Sequence, residues 1–415
     1  MAHSARSAQA AGPCVAMEWC TIESDPAVFT ELTERLGLET QMEIGEVFSM
    51  EDVESQADCA GFILLFRYDK GTMRPSSSSS VGVADDPSVF FCKQTVENAC
   101  GTIALLHVLL NAEGVRPGPK LTNFLEFASS MPEAELRGEI LGMSDDIRKA
   151  HNSFARSEPF MSEEKGSSEG GEAFHFVAYV PKNGALYELD GLQRGPIRLE
   201  AVPESAPTAS GAAAATSAAA AAGAEPAASW LPAARRAVEE RMARYSGTGE
   251  IRFTLLSVKG SRLHAAKRRL GQASARLAVA QQVLSSGGGS TARANAMGAF
   301  PQALLGAGWA PEPTLGALET QVAELEVAAR AAKAEVDELQ AERAAWAAEN
   351  ERRKHNWVPF AIALLEECHR AGKLDSMVEK GNERARELVR QEMERESAKK
   401  AKAASPSSAA PSASS

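Results

Sequence analysis

The sequence predicts an α/β (α+β) domain followed by an all-helical extension. Three observations carry that prediction. Short apolar runs of strand length, "GFILLFRY", "AFHFVAYV", "ALYELDGL" and "EIRFTLLSVKG", are interleaved with helical stretches up to residue 260. Asn183-Gly184 joins the second and third runs, a type I′ turn signal for an antiparallel hairpin. From residue 261 the pattern changes, and leucines recur every seven residues.

Composition narrows the class. At 415 residues the chain can hold roughly two or three domains, and 44% hydrophobic residues can fill at least one core. Cys14, Cys20, Cys59, Cys92, Cys100 and Cys368 show neither C-x-x-C pairs nor disulfide-like spacing. That points to the reducing cytoplasm or nucleus and away from structural zinc. No cofactor is expected. The first residues lack the long apolar core of a signal peptide, and no run of about 18 apolar residues exists, so no membrane span is expected. The net charge of −11 disfavours nucleic acid as the main partner and suits a partner with a basic surface.

The elements follow in order. Residues 1–16 are small and polar and are expected to be disordered. Ser24 or Asp25 can cap a first helix with Pro26 at its first position, and Gly37 closes it. The strand at 61–68 precedes a loop containing "SSSSS" (76–80). An apolar helix follows in "KQTVENACGTIALLHVLLNAEG", and another runs through "SDDIRKAHNSFAR". Residues 157–172 read as an exposed loop ahead of the hairpin. Residues 204–229 are an Ala/Pro/Ser insert that cannot bury a core, hence a surface excursion. A helix in "WLPAARRAVEERMARYSG" and a last strand complete the domain.

In the extension, Leu263, Leu270, Leu277 and Leu284 mark one seam. Leu315, Leu318, Val322, Leu325, Val336, Leu339 and Trp346 mark a second. A flexible Gly/Ser loop is expected between them, at 285–313. Two outcomes stay open: an antiparallel helical hairpin, or Ala-rich helices abutting the main domain. Two further helices, within 314–400, and a disordered tail, 401–415, end the chain. The helix around "NWVPFAIALLEECHRAG" is apolar on most sides. It either closes the protein's own helical bundle or docks on a partner.

Cys100 is the first candidate for chemistry. With Asn98 as N-cap it falls in the first helical turn, where free amides and the helix dipole favour a thiolate. A buried structural cysteine would also suit that place. Gln94 offers an amide donor for an oxyanion, as does the Cys100 backbone N–H. A nucleophile needs a base. His107 is seven residues along the same helix, about 10 Å away, and cannot reach. His151 ends a helix with no evident partner, while His264 and His355 lie in basic helical contexts. His175 differs. Counting outward from the hairpin turn sets Val177 opposite Asp190, so His175 and Asp190 are diagonal neighbours on one sheet face. Asp190 can then orient the imidazole as in a Cys-His-Asp triad. The alternative is a satisfied pair on an exposed sheet.

These residues lie in longer motifs. "KQTVENACGTIALLHVLLN", "RKAHNSFAR", "EAFHFVAYVPKNGALYELDGLQRGPI" and "SGTGEIRFTLLSV" resemble, in the same order, the ubiquitin C-terminal hydrolase family of cysteine proteases. "MEWCTIESDPAVFTEL" and "ERRKHNWVPFAIALLEECHRAGKLDSMVEK" resemble its proteasome-associated branch, which carries a helical C-terminal extension. The resemblance implies a papain-like α/β fold with a central antiparallel sheet between helices, over residues 17–260. It implies Cys100 as nucleophile, His175 as general base and proton donor, Asp190 as the residue orienting it, and Gln94 in the oxyanion hole. A crossover loop at 155–172 would span the site. The implied partners are ubiquitin and, through helices at 314–400, an adaptor domain on a proteasomal ubiquitin receptor. The implied location is cytoplasm and nucleus. A nuclear branch that removes ubiquitin from histones, and a non-catalytic ubiquitin-binding scaffold, are the rival readings.

Overall fold

The turn at Asn183 and Gly184 sets the frame. Their φ angles of 47° and 67° are both positive, as a type I′ turn requires. β3 (Ala173–Lys182) and β4 (Ala185–Leu189) leave it antiparallel, with Lys182 opposite Ala185 and Ala178 opposite Leu189. That is the register counted from the sequence. Four more strands complete one sheet: β1 (Met42–Val47), β2 (Cys59–Tyr68), β5 (Ile197–Ala201) and β6 (Phe253–Gly260). The order is β1-β6-β2-β3-β4-β5, antiparallel throughout. The computed structural model describes residues 18–56, 58–68, 84, 86–155, 173–202, 230–246, 253–387 and 390. The expectations for 1–16, 76–80, 156–172, 204–229 and 401–415 lie outside those residues.

Strand alternation divides the interior in two. One sheet face contributes Ile63, Phe176, Ala178, Val180, Leu256 and Val258 to a core shared with α1 (Pro26–Leu36), α2 (Cys100–Asn111), α3 (Pro119–Ala128) and α5 (Asp145–Asn152). The other contributes Phe62, Leu64, Phe66, Val177, Tyr179 and Leu255 to a core closed by Trp230 and by α6 (Leu231–Ser246). The sheet therefore lies between helices, as an α/β fold of this class requires. Of the two cap candidates for α1, Asp25 does the capping: its Oδ1 accepts the Ala27 N–H at 2.8 Å. Cys59, Cys92, Cys100 and Cys368 are free thiols. Cys20 is disulfide-bonded, which the cysteine spacing did not suggest.

β1 carried no strand signal because Glu43 and Glu46 interrupt its apolar residues. Glu43 is nonetheless 2% exposed. Arg262 and Arg343 take its carboxylate, so the buried charge is paired. Both arginines lie beyond residue 260, in the helices that follow the sheet. α7 (Arg262–Ser285) and the 40-residue α10 (Leu315–Lys354) pack together as a helical hairpin. The foot of α10 sits on α1. Asn350, 1% exposed, donates through Nδ2 to Glu31 Oε2 at 2.7 Å. Arg353 pairs with Asp25 at 2.8 Å and Glu23 at 3.3 Å. The first compact unit accordingly ends at His355 and not near residue 260.

The flexible loop expected at 285–313 is also corrected. It contains α8 (Ser290–Gly298) and α9 (Gln302–Leu305). Ala296 and Leu305 are buried against Val279, Val283 and Leu318, and Arg276 Nε donates to the Leu305 carbonyl at 2.7 Å. These small helices cover the distal end of the hairpin. Leu315, assigned to the second seam, is 50% exposed instead. The second unit begins at Asn356 and holds α11 (Val358–Arg370) and a helix over 374–387. Among the described residues no helix is long and apolar enough to cross a membrane.

Candidate active site

The site forms where β3 begins, β4 ends and α2 starts. Cys100 is the first residue of α2 and is half-buried. Asn98 is not its cap, contrary to expectation: Ala99 holds the N-cap position and makes no side-chain cap bond. Asn98 instead has φ of 62°, a left-handed conformation that costs about 1 kcal/mol outside glycine. Its Nδ2 donates to the Trp19 carbonyl at 2.9 Å, which holds this turn in place.

His175 lies on β3, 4% exposed, and Asp190 just past β4, fully buried. Their Nε2···Oδ1 distance is 2.7 Å. The diagonal reach predicted from the register is therefore closed by a direct hydrogen bond. With Nε2 on Asp190, Nδ1 is the nitrogen left for the Cys100 thiol, which acts on the imidazole. Burial alone would push the His175 pKa down. The Asp190 hydrogen bond and the neighbouring Cys100 thiol, with their charges, raise it to about 9. Burial would raise the Asp190 carboxyl, yet its hydrogen bond to His175 and the nearby His175 and Arg241 charges bring it down to about 2. The pair is thus built to hold an imidazolium beside a carboxylate, next to the thiol.

Gln94 is tied to the same place through its backbone. Its N–H donates to the Gly191 carbonyl at 2.8 Å, one residue past Asp190. Its side-chain Nε2 donates to the Val96 carbonyl at 3.1 Å, using one of two amide protons. α4 (Ala134–Met143) braces this stretch. The Lys93 N–H donates to the Ala134 carbonyl at 2.9 Å, and Arg137 Nε to the Phe91 carbonyl at 2.6 Å. Gly138 meets Lys93 so closely that an added Cβ would stand 1.9 Å from its carbonyl oxygen. Gly138→Ala should therefore displace the Gln94 segment. We expect about 1–3 kcal/mol of destabilisation and a fall in turnover beyond what the lower melting temperature explains. Thermal melts and kcat on one preparation check it; wild-type values for both would contradict the bracing role.

The other histidines are accounted for. His107, which the sequence placed out of reach of Cys100, has a core role: its Nε2 lies 3.2 Å from the Cys92 carbonyl and its ring stacks on Phe91. His151 was read as lacking a partner. It is fully buried, with Nδ1 2.7 Å from Thr102 Oγ1 and Nε2 2.6 Å from the Cys20 carbonyl. Burial holds its pKa down at about 4. It locks the chain entering α1 against α2 and is not a spare base. Among the described residues no group of three His, Cys, Asp or Glu is placed to hold a metal ion.

Sequence reasoning missed Arg241, on α6, and its companions. Arg241 is 6% exposed; its Nη1 donates to Glu188 Oε1 at 2.9 Å and its Nη2 lies 3.4 Å from Asp190 Oδ2. Its guanidinium carbon is 4.7 Å from the centre of the Phe66 ring, which meets His175 edge-on at 5.9 Å. The only sequence signal was a charged residue on the helix face that carries Ala234 and Val238.

Comparison with known proteins places this arrangement. The family described as "Ubiquitin carboxyl-terminal hydrolase, family 1" matches residues 19–218, and "Ubiquitin carboxyl-terminal hydrolases" matches a C-terminal segment, 330–374. The chain is 30% identical over 371 residues to ubiquitin carboxyl-terminal hydrolase isozyme L5 of Dictyostelium discoideum, covering 88% of this chain and 95% of that protein. It is 30% identical to ubiquitin carboxyl-terminal hydrolase ubh-4 of Caenorhabditis elegans, covering 89% and 93%. A crystal structure of Trichinella spiralis UCH37 bound to ubiquitin vinyl methyl ester is 27% identical, covers 81% of this chain and 99% of that one, and has a TM-score of 0.48. A cysteine at a helix start, paired with histidine and aspartate, thus sits in a chain that matches these hydrolases nearly end to end, and the chain belongs to the ubiquitin carboxyl-terminal hydrolase family, the cysteine deubiquitinases.

Proposed function

We propose that this deubiquitinase cleaves the bond after the C-terminal glycine of ubiquitin, with Cys100 as nucleophile. The observation that carries the reading is the grouping of Cys100, at the start of α2, with a His175 that is hydrogen-bonded to the buried Asp190. The Cys100 sulfur attacks the glycine carbonyl carbon. The oxyanion formed accepts hydrogen bonds from the Cys100 backbone N–H and the Gln94 amide. As the C–N bond breaks, the imidazolium of His175 gives its proton to the leaving amine. A thioester remains. His175, now neutral, takes a proton from water, which attacks the acyl carbon and frees ubiquitin and the thiol. The basic tail of ubiquitin suits an enzyme of charge −11.

The reading extends to place and partner: hydrolysis on the proteasome, in cytoplasm and nucleus, with the second unit docked on an adaptor domain of a ubiquitin receptor. What supports docking is the surface of α11. None of its residues is buried, and Phe360, Ile362, Leu364 and Leu365 are each more than half exposed. Apolar side chains left exposed along one helix favour a partner surface over a closed bundle. The test is a chain ending at His355, which keeps α10 seated on α1. It should hydrolyse a ubiquitin–fluorophore amide within about threefold of the full chain and fail to co-sediment with proteasomes. Co-sedimentation equal to that of the full chain would remove the docking role; recovery on chromatin alone would favour the histone-directed branch.

A further inference from the structure

We propose that Arg241 is a positioning residue for the hydrolytic reaction, holding the two groups that hold His175. One is the Asp190 carboxylate. Its Oδ1 is committed to His175 Nε2 at 2.7 Å and to the Leu192 N–H at 3.0 Å; its Oδ2 faces Arg241 Nη2 at 3.4 Å. Without the guanidinium, Oδ2 loses its charged donor and the carboxylate is free to turn about its own axis, carrying Oδ1 off the imidazole. The other is Phe66, directly opposite His175 across the β2–β3 ladder. The guanidinium stands over its ring and the ring edge meets the imidazole, so the same cation fixes His175 from two sides.

Arginine suits this place and lysine does not. A planar fork can serve two carboxylates while its face lies on an aromatic ring; an ammonium cannot do all three. The fork is itself held. Glu188, 3% exposed, accepts Nη1 and also the Tyr179 hydroxyl at 3.0 Å. Glu188 offsets the Arg241 charge, which leaves Asp190 to balance the imidazolium. Among the described residues, the charged or titratable groups about His175 include Asp190 beyond β4, Cys100 on α2 and, behind Asp190, Arg241 on α6. A buried cation that served only to fix α6 would need Glu188 alone.

The inference rests on reading Cys100, His175 and Asp190 as the reacting group, and the experiment separates the two. The full chain is prepared as Arg241→Gln with Glu188→Gln, so that no buried carboxylate is left unpaired. Companion chains carry Arg241→Lys, Asp190→Ala, each Arg241 change combined with Asp190→Ala, and Cys100→Ala. Melting temperatures are recorded, and kcat and KM are measured on a ubiquitin–fluorophore amide. The paired glutamine variant is expected to lose about 100-fold in kcat with KM within about threefold, and Arg241→Lys about tenfold. Added to Asp190→Ala, either change should cost less than about threefold more, because Asp190 is the group through which Arg241 acts. Losses that multiply in full on Asp190→Ala would assign Arg241 a purely structural role. Wild-type kcat in the Arg241→Lys protein, which also serves if the glutamine pair fails to fold, would overturn the proposal too. Retained activity in Cys100→Ala would instead strike the underlying site.

Discussion

Cys100→Ala is expected to lower hydrolysis of a ubiquitin–fluorophore amide by at least several hundred-fold while ubiquitin binding survives. The loss is large because this route is covalent. The Gln94 amide and the backbone N–H at residue 100 remain, but an oxyanion site without a nucleophile has no intermediate to stabilise. Binding survives because Cys100 contributes one half-buried side chain at the start of α2, and alanine is a good helix former at that position. Turnover and ubiquitin affinity measured on the same preparation check both halves. A near wild-type rate in Cys100→Ala would move the nucleophile elsewhere.

His175→Ala should cost about as much as Cys100→Ala, since base and nucleophile act as one unit. Asp190→Asn should cost less, about tenfold to a hundredfold, because an asparagine oxygen still accepts from the imidazole. The pH profile adds a signed test. His175 is raised to about 9, so its imidazolium, the acid for the leaving amine, is present below that pH and lost above it. The alkaline limb of kcat/KM in the wild type should therefore fall near pH 9. Asp190→Asn keeps a neutral acceptor but removes the negative charge that raises His175, so its limb should move downward. An unchanged limb would mean that a different group titrates there. Rescue by His151 is not expected, because both of its ring nitrogens are already engaged, with Thr102 and the Cys20 carbonyl.

The site was legible wherever local rules fix geometry. Asn183-Gly184 sets the hairpin turn, the turn sets the register, and the register sets His175 beside Asp190. Nothing comparable announced Arg241. It reaches Asp190 from α6, across an interval of 51 residues, and only the packing of that helix on the sheet brings them together. β1 was hidden for a related reason. Glu43 reads as solvent-facing until Arg262 and Arg343 arrive from the extension to pair with it. The boundary at His355 was hidden for the same cause: the foot of α10 is polar, yet its Asn350 and Arg353 seat the helix on α1. Asn98 was misplaced because a side chain able to cap a helix can also support a left-handed turn, and sequence does not choose between them.

The central claim is that the Cys100 thiol is the group that takes ubiquitin's C-terminal acyl group. The most direct measurement is labelling of the full chain with ubiquitin vinyl methyl ester, followed by mass spectrometry of the digested adduct. The account predicts one ubiquitin per chain, attached at Cys100, and no adduct in Cys100→Ala. Attachment at Cys368, the other half-buried free thiol among the described residues, or an adduct that persists in Cys100→Ala, would contradict it.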